Sequence, residues 1–219
     1  MIELIIFDLD GTLIDSKTDI ATSVNYALAQ ENFPTLPQKT IEGFVGRGMA
    51  YLIQDVIGKP NPEQAKKVGQ NFWSHYMEHL LDQTKMYPGV LEFLNEFPQI
   101  EKAVATNKPY AFSKKILEGL NIHHHFKWLI GGDSLPHQKP SPKMLDPIFE
   151  ELGHKPRTLF VGDSQIDMDC GKAAGILTCG VTYGFRDHEE LIACKPDYLI
   201  HDFAELGELP CFKKNQNKT

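Results

Sequence analysis

Asp8 and Asp10 stand two residues apart, and Gly11-Thr12 follows at once. Residues two apart in an extended chain point to the same side, so both carboxylates face one spot. Two such charges repel each other unless a cation or a proton comes between them. Gly11 lets the chain turn sharply behind them. Further along, Thr106 offers a hydroxyl beside the Asn107 backbone N–H, a pair able to cradle an anion. Lys139, in Lys139-Pro140-Ser141-Pro142, offers a point charge between stiff prolines. Gly162-Asp163-Ser164-Gln165-Ile166-Asp167 adds two more acids. Taken singly, these are a turn residue, a solvated lysine and a helix cap. Together they point to a site that holds an anion beside a cation. Four acids around such an anion need a divalent cation and a lysine, and hard oxygen ligands select Mg²⁺ over zinc.

Such groups must be held at strand ends, and the apolar runs supply strands there. Leu4-Ile5-Ile6-Phe7 ends at Asp8, Ala103 to Thr106 at Asn107, and Thr158 to Val161 at Gly162-Asp163. Trp128 to Ile130 and Leu177 to Val181 are two further runs. Unbroken apolar runs of this length suit strands buried on both faces. Helical stripes lie between them: Leu91, Leu94 and Phe97; Phe112, Ile116, Leu117 and Leu120; Pro142, Leu145, Ile148, Phe149 and Leu152, closed by Gly153. The alternation predicts an α/β domain with a mainly parallel sheet, whose ligand site lies at the carboxyl ends of the strands.

From Asp15 to Asp82 the patterns are all helical. They run through Ile20, Val24, Ala27 and Leu28, then Met49, Leu52, Ile53, Val56 and Ile57, then Val68, Phe72, Tyr76 and Leu80 after Asn61-Pro62. This stretch reads as an inserted helical module, 15–82, carried by a core of 1–14 and 83–219. The tail from Lys213 is polar and is expected to fray.

The 219 residues carry 22 basic and 29 acidic side chains, a net charge of −7. That disfavours nucleic-acid or anionic-membrane partners, which need a basic face. Four scattered cysteines with no C-x-x-C fit free thiols in a reducing cytoplasm. The opening residues Met1 to Phe7 are not expected to act as a secretory signal, and no apolar run is long enough to span a bilayer. His75 and His79 lie four apart but lack a third ligand, and His123-His124-His125 reads as a polar linker. Asp133, after Gly131-Gly132, reads as a turn residue.

In order and spacing, Asp8-Leu9-Asp10-Gly11-Thr12, Thr106-Asn107-Lys108, Lys139-Pro140 and Gly162-Asp163-Ser164-Gln165-Ile166-Asp167 resemble the four motifs of the haloacid dehalogenase-like superfamily, in its Mg²⁺-dependent phosphatase branch. The resemblance implies a Rossmann-like three-layer core and makes the insert a C1-type cap. It makes Asp8 a nucleophile forming an aspartyl-phosphate, and Asp10 the general acid and base. It assigns Mg²⁺ to Asp8, the Asp10 main-chain carbonyl and Asp163. Thr106, Asn107, Lys139 and Gly11 would hold the phosphoryl group. Asp167 and Ser164 would stand behind the metal ligands, with Asp167 orienting a water or Lys139. Looser matches, among them Phe44-Val45-Gly46-Arg47-Gly48, resemble the branch that acts on phosphoglycolate. The expected substrate is therefore a small phosphorylated metabolite, 2-phosphoglycolate first, and Arg47 could reach its carboxylate. A phosphatase for another sugar phosphate or for pyrophosphate stays open, as does a phosphomutase, because the core motifs do not separate them. The dehalogenase branch is disfavoured by Asp10 and Asp163. A monomer or a homodimer is expected.

Overall fold

Strand β1 (Leu4–Phe7) is buried along its whole length. Its side chains alternate between two cores. Ile5 and Phe7 join one apolar cluster, and Leu4 and Ile6 join the other. A strand enclosed in this way has to lie mid-sheet, with helices covering both faces. The computed structural model, which describes residues 1–58 and 61–212, places it there.

The main sheet has six parallel strands. The others are β4 (Glu101–Ala105), β5 (Trp128–Ile130), β6 (Thr158–Gly162), β7 (Leu177–Val181) and β8 (Tyr198–Ile200), in the order β5-β4-β1-β6-β7-β8. The chain builds one half outward from β1 and then crosses to build the other. The topological switch point, where α/β sheets bind ligands, therefore lies at β1. Phe7 is level with both Val104 and Val161. The residues that follow these three strands consequently emerge side by side.

Helices α5 (Val90–Glu96) and α6 (Tyr110–Gly119) lie on the first face, where Val90, Phe93, Leu94, Phe112, Ile116 and Leu117 join the apolar cluster of Phe7. The other face is covered by a 3-10 turn (Pro142–Leu145), α7 (Asp146–Leu152) and α8 (Gln165–Ala173). A short α9 (His188–Ala193) precedes β8. This is the α/β three-layer arrangement expected, with local differences. Leu91 faces solvent, and Val90, Phe93 and Leu94 form the buried stripe of α5. The Pro142 stripe begins as 3-10 helix, and β8 adds an edge strand.

The insert holds α1 (Lys17–Gln30), α2 (Gln38–Phe44), α3 (Met49–Ile57) and α4 (Pro62–Glu78). Helices α1 and α4 pack together through Ile20, Val24, Ala27, Val68, Phe72 and Tyr76. Asn61 caps α4, accepting from the Gln64 N–H at 2.8 Å, with Pro62 in the first turn. Helix α2 buries only Ile41, which is why no stripe announces it. The insert is entered through β2 (Ile14–Asp15) and left through β3 (Lys85–Met86), an antiparallel two-residue ribbon where a purely helical insert was expected. Buried Asp19 in α1 accepts from Gln83 N, Thr84 N and Thr84 Oγ1, tying the return segment down. All four cysteines are free thiols. The polar tail from Lys213 lies outside the described residues.

Candidate active site

Asp8 follows β1, Thr106 to Lys108 follow β4, and Asp163 follows β6. Asp8, Asp163 and Asp167 are buried, and each offers a carboxylate oxygen within 4.8 Å of the others. Asp167 sits in the first turn of α8, where the helix dipole favours an anion. One of its oxygens, Oδ2, accepts from Ser164 N at 3.1 Å and Ser164 Oγ at 2.6 Å. The other, Oδ1, accepts from Lys139 Nζ at 2.7 Å. Both oxygens are thus occupied, as befits a group that orients others. Asp163 Oδ2 accepts only from Phe185 N, at 2.7 Å. Lys139 Nζ also lies 2.6 Å from Asp8 Oδ1, but at an angle that leaves this buried oxygen without a proper hydrogen bond.

Burial pushes the Asp8 carboxyl up to about 6, against the opposing pull of Lys139 and with the help of the Asp167 charge. Burial, then Asp167 and Asp8, hold Asp163 well above the usual carboxylate range. Burial alone would lower Lys139, but Asp167 and Asp8 outweigh it and keep this amine above the ordinary lysine value. Three acids against one lysine leave an excess of negative charge and free oxygen lone pairs. That donor set fits a hard divalent cation such as Mg²⁺.

Asp10 points elsewhere. Its carboxylate accepts from Ser16 Oγ at 2.5 Å and from Lys108 Nζ at 3.2 and 3.1 Å. Lys108 is buried, and it also donates to Tyr76 Oη of α4 at 2.7 Å. Burial pushes the Lys108 amine down, with Asp10 opposing. Thr106 is buried, and its Oγ1 accepts from Lys108 N at 3.2 Å. The Asn107 side chain clamps Lys139 in place: Oδ1 accepts from Lys139 N at 2.9 Å, and Nδ2 donates to Lys139 O at 3.1 Å. The same Nδ2 reaches Gly46 O of the insert at 3.0 Å.

Gly11 lies beside the acids with φ +82°, and a Cβ there would come within 2.2 Å of Asp163 Oδ2. Its hydrogen makes room for that carboxylate. Gly184 does the same on the opposite side, where a Cβ would sit 2.3 Å from Asp163 Cβ.

A cavity opens beside Asp8 and Asp10. Asp8, Asp10, Thr106, Asn107 and Lys108 form its floor, and the insert roofs it with Ile20, Val45, Met49, Leu52 and Phe72. Arg186, in the loop after β7, donates from Nη1 to Gly43 O at 2.6 Å and from Nη2 to Val45 O, holding the roof to the core.

Of the sequence-derived set, Asp8, Asp10, Gly11, Thr106, Asn107, Lys139, Asp163, Ser164 and Asp167 converge. Arg47 does not. Its guanidinium is exposed, lies 3.7 Å from Asp55 and covers the Tyr51 ring, while its neighbours Gly46 and Gly48 line the cavity. Solvation and two local partners hold the side chain outside. Lys108, Ser16 and Arg186 were missed. Lys108 lies inside the Thr106-Asn107-Lys108 motif, and Ser16 and Arg186 sit in loops without periodicity. Asp133 caps α6 by accepting from Tyr110 N, and His75 and His79 bond to Ser23 and Asp82 on the surface of the insert.

Residues 5–181 match the family model for haloacid dehalogenase-like hydrolases. The chain is 39% identical over 216 residues to a phosphoglycolate phosphatase of Haemophilus influenzae, spanning 93% of this chain and 96% of the relative. It is 37% identical over 215 residues to one from Pasteurella multocida, with the same coverage. A crystal structure of a predicted phosphoglycolate phosphatase from Haemophilus somnus superposes with a TM-score of 0.90 at 33% identity, covering 94% of this chain and 97% of that one. The chain belongs to the haloacid dehalogenase-like hydrolase family, in its phosphoric monoester hydrolase branch.

Proposed function

We propose that the protein hydrolyses a small acidic phosphomonoester, 2-phosphoglycolate first, through an aspartyl-phosphate on Asp8. The observation that carries this reading is the cavity itself. Its floor has a buried carboxylate beside a lysine, and its roof is mainly apolar. Asp8 lines the cavity and its Oδ1 lacks a proper hydrogen bond, which suits a nucleophile attacking phosphorus in line. Asp10 donates its proton to the leaving oxygen and later takes one from the attacking water, help worth roughly 10²–10⁴-fold. Thr106 Oγ1, the Asn107 N–H and Lys139 Nζ bind the phosphoryl oxygens, over which the transition-state charge is spread. Asp167 and Asn107 hold Lys139 for that task. Asp8, Asp163 and the Asp10 main-chain carbonyl would hold Mg²⁺, which supplies charge neutralisation when bound. The roof, residues 15–82, acts as a cap that excludes stray water.

The roof also bears on the alternatives. A sugar phosphate brings several hydroxyls, and each one buried against Ile20, Val45, Leu52 or Phe72 without a partner costs about 1–3 kcal/mol. This argues against a sugar phosphatase and against a mutase acting on a sugar. One chain supplies every group of the site, so a monomer suffices and a homodimer would repeat it. The net charge of −7 argues against a nucleic-acid partner, and four free thiols favour the cytoplasm. Among the described residues no helix is long and apolar enough to cross a membrane. The test is a screen of phosphorylated metabolites with Mg²⁺, ranked by kcat/KM. Phosphoglycolate at the head, with free phosphate released, supports the reading. A sugar phosphate at the head, or a phosphoryl group returned to a sugar, defeats it.

A further inference from the structure

Lys108 is the one cationic side chain, among the described residues, that lines the cavity. Lys139 stands between Asp8 and Asp167, outside the cavity lining, and serves the phosphoryl oxygens in the reading above. Arg47 is turned outward to Asp55 and Tyr51. An anionic group on the leaving side of the substrate therefore has a single positive partner within the cavity. The position of that partner is restrictive. Its amine lies 3.1 Å from Asp10, the residue that must reach the leaving oxygen. In a 2-phospho acid the carboxylate carbon is two bonds beyond that oxygen, so its charge falls in the same small region. Each added carbon pushes the carboxylate toward the apolar roof. The amine is also braced, by Tyr76 Oη at 2.7 Å and by the Tyr76 ring at 4.5 Å, both contributed by the insert.

We propose that Lys108 is the specificity-determining residue of this enzyme, receiving the carboxylate of a 2-phospho acid beside Asp10, with Tyr76 of the insert setting the position of its amine. The proposal rests on the phosphomonoesterase reading above and deepens it. It assigns selection of the acid to the core strand end, with the roof excluding longer or hydroxylated chains.

The test compares 2-phosphoglycolate with ethyl phosphate, which has the same length and a neutral end, using purified full-length protein with Mg²⁺. A charge-assisted hydrogen bond predicts that the wild type favours phosphoglycolate by about 10- to 150-fold in kcat/KM. Lys108→Met should bring that ratio near one, chiefly through KM, and Lys108→Arg should restore part of it. Loss of the contact to Asp10 would slow both substrates together, so the ratio is the readout that a structural role leaves unmoved. An unchanged ratio in Lys108→Met overturns the proposal. If that variant does not fold, Tyr76→Phe should lower the ratio by about 2- to 10-fold, and no change there overturns it equally. A wild type that hydrolyses both esters with a ratio near one defeats this inference alone. A wild type that hydrolyses neither defeats the phosphomonoesterase reading and this inference with it.

Discussion

Oδ1 of Asp167 lies 2.7 Å from Nζ of Lys139, with both side chains almost wholly inside the protein. In the low-dielectric interior such a pair cannot lose one charge without exposing the other, and breaking one is strongly destabilising. Asp167→Asn should keep the Ser164 contact and lose the ion pair. The amine of Lys139 would then lean on Asp8 alone and compete with the metal for it. The apparent Mg²⁺ affinity is expected to fall about 10- to 100-fold, read from the Mg²⁺ dependence of turnover, together with a lower melting temperature. An unaltered Mg²⁺ dependence would place Asp167 outside the metal's influence.

Asp8→Asn should abolish turnover and at the same time stabilise the metal-free protein. The carboxyl of Asp8 is pushed up to about 6 by burial, so its ionised form is worse off in the folded chain than in water. Removing that charge at pH 7.5 is expected to contribute roughly 1–3 kcal/mol, measured by denaturant unfolding in the presence of a chelator. Residual hydrolysis at the wild-type rate would sink the nucleophile assignment.

The pH dependence of stability has a definite sign. Asp8 has a folded value of about 6 against an ordinary value of 3.8, and Asp163 is shifted the same way. Below the ordinary value these acids are protonated in both states and cost nothing. Between the ordinary value and the raised folded value, about 6 for Asp8, the unfolded chain has given up a proton that the folded chain keeps, so stability falls across that window and the full cost remains above it. The chelated protein should therefore melt higher at pH 5.5 than these two groups would allow at pH 7.5. Mg²⁺ must displace the protons to bind, so the melting temperature it adds should be larger at pH 7.5 than at pH 5.5. Thermal scans with and without Mg²⁺ at the two pH values give the answer, and the reverse order would contradict a metal held by Asp8 and Asp163.

Gly11→Ala places a methyl group 2.2 Å from Asp163 Oδ2 at a φ of +82° that alanine resists. The carboxylate of Asp163 must move, and displacements of this order at a reacting centre cost about 100-fold in rate. Since the β1 core lies behind the turn, the far-ultraviolet circular dichroism should stay native. Normal kcat in this variant would show that Asp163 need not stand where it does.

The central strands and their terminal acids were legible because each strand is short, buried on both faces and ended by a Gly, Asp or Asn. For Leu4–Phe7, Trp128–Ile130 and Leu177–Val181 the observed bounds coincide with the apolar runs. Elements that bury little left no such trace. Helix α2 buries only Ile41, and the ribbon strands have two residues each. Leu91 misled because one extra leucine on the exposed face of α5 imitates a stripe. In the site, the four motifs announced themselves through residue type and spacing. The contacts of Lys108 with Asp10 and Tyr76 join residues 98 and 32 positions apart, which no local pattern can show. The outward turn of Arg47 depends on Asp55, eight residues on in α3.

The ribbon that admits and returns the insert deserves a last consequence. Ile14 is level with Met86 and Asp15 with Lys85, so the chain leaves the sheet domain and comes back at adjoining points. Whatever lies between those points can be lengthened, shortened or replaced without altering the distance the remaining backbone must span. The backbone path of the floor is thereby independent of the length of the roof, while Ser16, Gly46 and Tyr76 still reach down to the floor's side chains. A lineage can exchange one lid for another and change its diet of esters while the aspartates beneath stay where β1 put them.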